Sequence, residues 1–366
     1  ISWSVLGKVC VQILLFGVSI LLTRYLGKER LGDYATLLVI PVFIRLMNSL
    51  GLETLINKKL PELNVQDPSG LQGKYLVGRL LVLRFLTTFC FCILLYFILP
   101  FYLDFINYQQ LIEFRWILIL YFIVITVDSI LSTLFMTLLR FKTLAKTEIL
   151  GALLNLILLG LFISLDYGIS GVLYAYIFSA SVTSIIYLVL ARRQYIGPTK
   201  KPEWDDMGHL AWVSYGISFL GFGLMTQSDV LLLNFFNVGR GDVGLYHLVT
   251  GLGGTMAFLL AGVAPMALSL FSETFAKDGI KSLSNLYCQI VGLASYLTIP
   301  IYVFCVLNAS HLISFIYGSE FVEGAGALGV YATFAGIQTA LGINFTVSSL
   351  YVIRRQGVAL RSTVEG

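Results

Sequence analysis

Arg45, Arg84, Asp128 and Asp229 interrupt stretches of this chain that are otherwise apolar. A charge inside a membrane span is costly and normally faces a protein interior or a water-filled cavity. Arg45 lies near the middle of an apolar run at 33–56. Its guanidinium offers a planar fork of donors that matches phosphate or carboxylate. It therefore serves either an anionic ligand or an acid on a neighbouring helix. Asp128 sits among Thr126, Ser129, Ser132 and Thr133. It is the partner of Arg45, a coupling site for H+ or Na+, or a protonated and silent carboxyl. Asp229, with Gln227, Ser228 and Asn234 close by in sequence, either lines a cavity or makes structural hydrogen bonds.

Further cations frame these positions. Arg79 and Arg84 are five residues apart, which puts them about 140° apart around a helix. The deeper Arg84 suits a cavity mouth, and Arg79 suits snorkelling to headgroups. Lys8 is one turn into the first apolar run and Arg24 is at its far end. Asn48 is a cavity candidate one turn beyond Arg45. Interhelical hydrogen bonding is the default for it, as for Gln12, Glu53, Asn155, Gln338 and Asn344. The three histidines, His209, His247 and His311, are widely separated and show no metal-ligand spacing. No phosphate-binding P-loop, nucleophile elbow or zinc helix occurs. The expectation is a protein that is not an enzyme and uses no cofactor.

These residues need elements to hold them. The chain is 57% hydrophobic and 12% charged over 366 residues, with mean hydropathy +0.86. Charge this sparse cannot coat a soluble protein of this size. Apolar runs of about 20 residues match the roughly 30 Å of a bilayer crossed as helix. The fold class is an all-α polytopic membrane protein. Ten spans are readable, at about 3–23, 33–56, 75–99 (ended by Pro100), 115–139, 147–165, 171–191, 210–237, 243–270, 285–307 and 326–352. Pro41 and Pro265 are expected to kink the spans that hold them. All five cysteines fall in apolar spans and read as packing residues. With a cytoplasmic N-terminus, loop Lys and Arg divide sixteen inside to five outside. That bias orients both visible ends to the cytoplasm.

The polar linker at 192–208 separates a first lobe, 1–191, from a second, 209–366. Gly32-Asp33-Tyr34 and Gly244-Leu245-Tyr246 follow equivalent turns, offset by 212. Two pseudo-repeated six-helix lobes around a central cavity would produce this echo. The chain opens directly in an apolar span without an initiator Met, so residues are expected to precede Ile1, and on the two-lobe plan the second lobe, with four spans visible, is expected to continue past residue 366. The small-residue runs at 251–262 and 324–329 permit close helix approach or bending.

Four stretches in order carry a resemblance: LLTRYLGKERLGDYATL, SLGLETLINKKLPE, SDVLLLNFFNVGRGDVGLYHLVTGL and LISFIYGSEFVEGAGALGVYA. With these the chain resembles the polysaccharide flippases, the O-antigen and capsule-repeat exporters of the multidrug/oligosaccharidyl-lipid/polysaccharide superfamily. The resemblance implies a cationic cavity and alternating access. It implies movement of an undecaprenyl-pyrophosphate-linked oligosaccharide from the inner to the outer leaflet. The implied partners are a lipid-linked oligosaccharide, membrane lipids, H+ or Na+, and a polysaccharide polymerase. No nucleic acid is implied. The alternatives are a multidrug/toxin exporter of the same superfamily, which would favour acidic cavity residues, and a membrane polymerase, which would need larger external loops.

Overall fold

The computed structural model describes residues 2–67, 69–138, 140–195, 199–201, 212, 215–216, 228–261 and 264–341. His209, Gln227, Asn344, most of the seventh span, the core of the linker and the end of the tenth span lie outside the described residues.

The described chain is helical and contains no strand. Its helices are α1 (Ser2–Ser49), α2 (Leu52–Gln66), α3 (Leu71–Phe105), α4 (Arg115–Thr137), α5 (Phe141–Ser164) and α6 (Gly168–Tyr195). After these come α7 (Ser228–Phe235), α8 (Arg240–Ala261), α9 (Ala264–Leu307), α10 (Ala309–Ile316) and α11 (Ala325–Ala340). Six of the described helices are long and apolar enough to cross a membrane. One is α1, which is two membrane lengths in a single element. Its arms, 2–26 and 28–49, are about 37 and 33 Å long at 1.5 Å per residue. They meet at Gly27, where φ is 70° and ψ is 176°. Such a backbone is open to glycine and strained for residues with a Cβ. Gly279 divides α9 in the same way, with φ 75° and ψ −168°.

Several expected boundaries shift. The second span stops at Ser49 rather than 56, because Leu50 and Gly51 both adopt positive φ and turn the chain. Arg45 is thus one turn from a helix end, not at mid-span. Residues 52–66 instead form the amphipathic α2. Its Leu52, Leu55, Ile56, Leu60 and Leu63 are buried against Leu76, Val77 and Leu80 of α3 and Leu131 and Leu134 of α4. Pro100 lies within α3, which continues to Phe105. Pro41 lies within a helical run, and the break in α1 is at Gly27. Pro265 is the second described residue of α9, and residues 262–263 just before it lie outside the described residues.

The chain divides into two compact units, 1–244 and 245–366. In the first, α1 packs along α5, with Gly7 against Ala145 and Gly17 against Leu156. The glycines of the two offset motifs also meet within this unit. A Cβ on Gly32 would overlap the Arg240 carbonyl oxygen, and one on Gly244 would overlap the Lys28 carbonyl oxygen. Each glycine faces the residue four positions before the other, so the contact is reciprocal. Beside it the Arg240 Nε lies 3.7 Å from Asp33 Oδ1, and the Arg240 guanidinium stacks 4.9 Å from the Tyr108 ring centroid.

The second unit holds the rest of α8 with α9 to α11. Tyr302, Cys305 and Ala332 form its local core, with Leu312 and Ala335 packed on them. The repeat is visible inside each unit. A 3₁₀ turn, Gln109–Phe114, leads directly into α4, and another, Ser319–Gly324, leads directly into α11. Leu111 and Phe114 are buried in one, Phe321 and Gly324 in the other.

Candidate functional site

The first unit gathers its polar side chains into two groups. The first forms where the second arm of α1 meets α2, α3 and α4. The turn at Leu50-Gly51 swings Glu53 back toward α3. There it forms an ion pair with Arg84, which is only 3% exposed. The same guanidinium donates to the Asn48 carbonyl oxygen. Asn48 Nδ2 donates to Thr88 Oγ1 at 3.0 Å, and Thr88 Oγ1 donates to the Arg84 carbonyl at 2.6 Å. Arg45 Nη1 donates to Ser129 Oγ at 3.1 Å, and Ser129 Oγ lies 3.5 Å from Glu53 Oε1. The chain Arg45–Ser129–Glu53–Arg84–Asn48–Thr88 thus links four helices. Two arginines and one glutamate leave it with an excess positive charge. The Arg84 Nε and Asn48 Oδ1 atoms are buried without a hydrogen-bond partner. Removing one member of a buried ion pair typically costs about 3–5 kcal/mol, since a charge is left uncompensated.

The second group surrounds a cavity of about 250 Å³ among α1, α4, α5 and α6. Asp128 and Glu148 both line it, with Asn155, Ser179, Thr183 and Tyr187. Thr183 Oγ1 donates to Asp128 Oδ1 at 2.8 Å, and Ser184 Oγ approaches the same oxygen at 3.4 Å. Arg45 is within electrostatic reach of Asp128, and Lys8 is within reach of Glu148. Two carboxylates around one small cavity form a site that a proton or a small cation would neutralise. Among the described residues no cluster of three or more His, Cys, Asp or Glu has metal-site geometry.

The structure therefore brings some of the expected residues together and separates others. Arg45, Arg84 and Asn48 share one network. Asp128 is on the neighbouring cavity, hydrogen-bonded to α6, while Arg45 bonds to Ser129 beside it. Arg84 is enclosed and paired with Glu53 instead of standing free at a mouth. Arg79 is exposed and its Nη1 lies 3.3 Å from the Tyr75 hydroxyl. Lys8 and Arg24 are exposed on the first arm of α1, and Asp229 is exposed in the first turn of α7.

Glu148 is a cavity residue that the sequence reading passed over. Its signal was a stripe, Glu148, Gly151, Ala152 and Asn155, at helical spacing along one face of α5. The matching stripe on α6 is Tyr176, Ser179, Ala180, Thr183 and Tyr187. A Cβ on Gly151 would strike the Thr183 methyl, so this small residue sets how closely the two stripes approach.

Residues 20–325 match the family described as polysaccharide biosynthesis protein. No curated protein matches the chain in sequence. Among solved structures, the fold is similar to an inward-facing multidrug resistance MATE family transporter of the MOP superfamily. The TM-score is 0.65 at 16% identity, over 94% of this chain and 83% of that one. An outward-facing transporter of the same description also gives 0.65 at 16% identity, over 96% and 80%. A MOP superfamily transporter from Pyrococcus furiosus, described as having a binding pocket of reverse polarity that suggests a different function, gives 0.62 at 14% identity, over 96% and 83%.

Proposed function

Because this chain belongs to the polysaccharide biosynthesis protein family and has the fold of MATE-type transporters, we propose that it moves a lipid-linked oligosaccharide across the cell membrane. Family and fold point to a multi-pass transporter rather than an enzyme. In this reading the substrate is an undecaprenyl-pyrophosphate-type oligosaccharide, carried from the inner to the outer leaflet by alternating access. On the same reading the α2 end of the bundle faces the cytoplasm, which the distribution of basic residues supports. The product would feed a polysaccharide polymerase.

One observation carries the proposal. The first unit holds the Arg45 guanidinium on Ser129, and beside it a two-carboxylate cavity whose Asp128 is within its electrostatic reach. Arg45 has five donors and uses one on Ser129, leaving the fork able to meet a phosphate. Asp128 and Glu148 would bind the coupling H+ or Na+. Loading that cavity changes the charge on α4, and α4 also carries Ser129, the residue that holds Arg45. An ion gradient could thereby bias the availability of the phosphate contact. Lys8, Arg24 and Asp229, exposed along α1 and α7, would guide the head group.

The test is complementation in a strain lacking its own repeat-unit exporter, scoring surface polysaccharide at equal membrane expression. The parent restores polysaccharide and Arg45→Ala loses it. Restoration by both variants removes Arg45 from phosphate handling. The two carboxylates also support a second reading, an ion-coupled exporter of organic cations. Dye efflux by the parent, abolished in Asp128→Asn and Glu148→Gln, with no polysaccharide restored, would establish that alternative.

A further inference from the structure

Outside both polar groups, the second arm of α1, α3 and α7 enclose a groove of about 560 Å³. Ile44 and Met47 of α1, Phe91, Leu94 and Ile98 of α3, and Leu232 of α7 line it. It offers almost nothing to a polar ligand. The Tyr102 hydroxyl, the polar oxygen of its lining side chains, accepts from Asn234 Nδ2 at 3.5 Å. An occupant must be hydrocarbon.

Both ends of the groove are marked by interhelical hydrogen bonds. At one end Thr36 Oγ1 lies 3.2 Å from Asn234 Oδ1, and Asn234 reaches Tyr102. At the other, Asn48 holds Thr88, and Arg84 lies one turn further along α3. Thr88 and Tyr102 are about 21 Å apart along that helix, most of the roughly 30 Å hydrocarbon thickness. Arg84, Phe91, Ile98 and Phe105 recur every seven residues, so the stripe that lines the groove runs directly into the arginine network. Glu53 neutralises Arg84, which leaves Arg45, within electrostatic reach of both Arg84 and Asp128, as the excess charge at that end when Asp128 is protonated.

We propose that this groove holds the hydrocarbon tail of the anionic lipid-linked substrate, with the phosphate at the Arg45 end. The assignment rests on the transport reading above. The shape and charge argue for it together. An apolar channel of near-membrane length with a cation at one end complements a single long chain that carries an anionic head. Bulk glycerophospholipid and a segment of another protein are the competing occupants.

The test places a photo-crosslinking benzoylphenylalanine at Ile98 of the full chain, with Ile157, exposed on α5, as the control position. The protein is reconstituted in phosphatidylethanolamine–phosphatidylglycerol vesicles containing a minor fraction of undecaprenyl monophosphate. The adducts are identified by mass. The expected result is capture of the polyprenyl phosphate at position 98 at least tenfold above its mole fraction. Position 157 captures lipids in proportion to abundance, and Arg45→Ala removes the enrichment at 98. Proportional capture of phosphatidylglycerol at 98, or a protein adduct there, overturns the proposal. Complementation with Ile98→Trp, and with Leu94→Phe as a milder filling, separates this inference from the transport reading. If the parent and both filled variants restore polysaccharide, the groove is not the tail site although transport stands. If the parent fails to restore it yet enriches polyprenyl phosphate at 98, the groove stands and the transport reading falls.

Discussion

The two units bury polar groups in different ways. In the first, Arg84, Asn48, Asn155, Thr88, Thr183 and Ser179 are buried, and several of their bonds run between helices. In the second, the buried polar residues among those described are Thr298 and Thr339. Each returns its hydroxyl to its own helix, to the carbonyls of Ala294 and Ala335 at 2.8 and 2.9 Å, and Thr339 also shares a hydrogen bond with Tyr302 of α9. The Thr298 hydroxyl, bonded to its own helix, satisfies itself and specifies no neighbour. A guanidinium shared between Glu53 of α2 and Asn48 of α1 specifies two neighbours at once. Two regions with the same 3₁₀-into-helix pattern thus diverge in chemistry, and within the described chain the charged interior belongs to the first.

The sharpest way to break this contrast is to unpair Arg84. Glu53→Leu leaves a buried guanidinium uncompensated and is expected to cost about 3–5 kcal/mol, read as a drop in thermal unfolding midpoint in detergent. Arg84→Met in the same background should recover most of that loss. Recovery would show that the penalty belongs to the orphaned charge and not to lost packing.

A second comparison sets two glycines side by side. Gly32→Ala drives a methyl group into the Arg240 carbonyl, a backbone atom that moves only with its helix. Gly253→Ala in the second unit meets the Tyr331 ring, a side chain. Overpacking of this kind costs about 1–3 kcal/mol, with Gly32→Ala expected at the upper end and Gly253→Ala at the lower. Equal losses would mean that the Tyr331 ring is held as firmly as backbone.

Smaller effects test the hydroxyls. Thr183→Val removes the donor to Asp128 and is expected to cost about 0.6 kcal/mol, typical of an interhelical membrane hydrogen bond. It should also shift the pH dependence of transport. Thr298→Val is expected to change neither beyond a few tenths of a kcal/mol, because its hydroxyl served only its own helix. A pH shift from Thr298→Val would show that coupling chemistry reaches the second unit.

The smallest prediction lies outside the membrane-spanning segments, where α2 turns into α3. The Ser69 hydroxyl and the Gln72 N–H donate to Asp67 and hold its carboxyl below the ordinary 3.8. A depressed carboxylate stabilises the fold above that value, and the contribution is lost as pH falls through the folded pKa. Amide exchange at Ser69 and Gln72, corrected for intrinsic rate, should lose protection below about pH 3.8. Asp67→Asn should abolish that dependence.

Much of the architecture was legible from hydropathy alone. Apolar runs of membrane length place the ends of α3 to α6 within about six residues, because lipid forces the backbone to satisfy itself as helix. The spacing of Gly32 and Gly244 signalled an internal repeat, and their reciprocal contact is its consequence in space. The end of the second span was not legible. SLGLET is apolar enough to continue a helix, and the two positive-φ residues that end it are stabilised by the burial of α2 on α3 and α4. The partners of the charges were equally hidden. Arg45 and Asp128 were both visible as costly charges, but whether they paired depended on which helix faces met. Serines and threonines on α4 and α6 took the bonds instead, and Glu53, read as an ordinary polar residue near an interface, became the counter-ion of Arg84. Composition and periodicity dictate what must be buried, since each residue carries its own transfer free energy. Who meets whom is a property of packed faces, and it arises once the helices have found their neighbours.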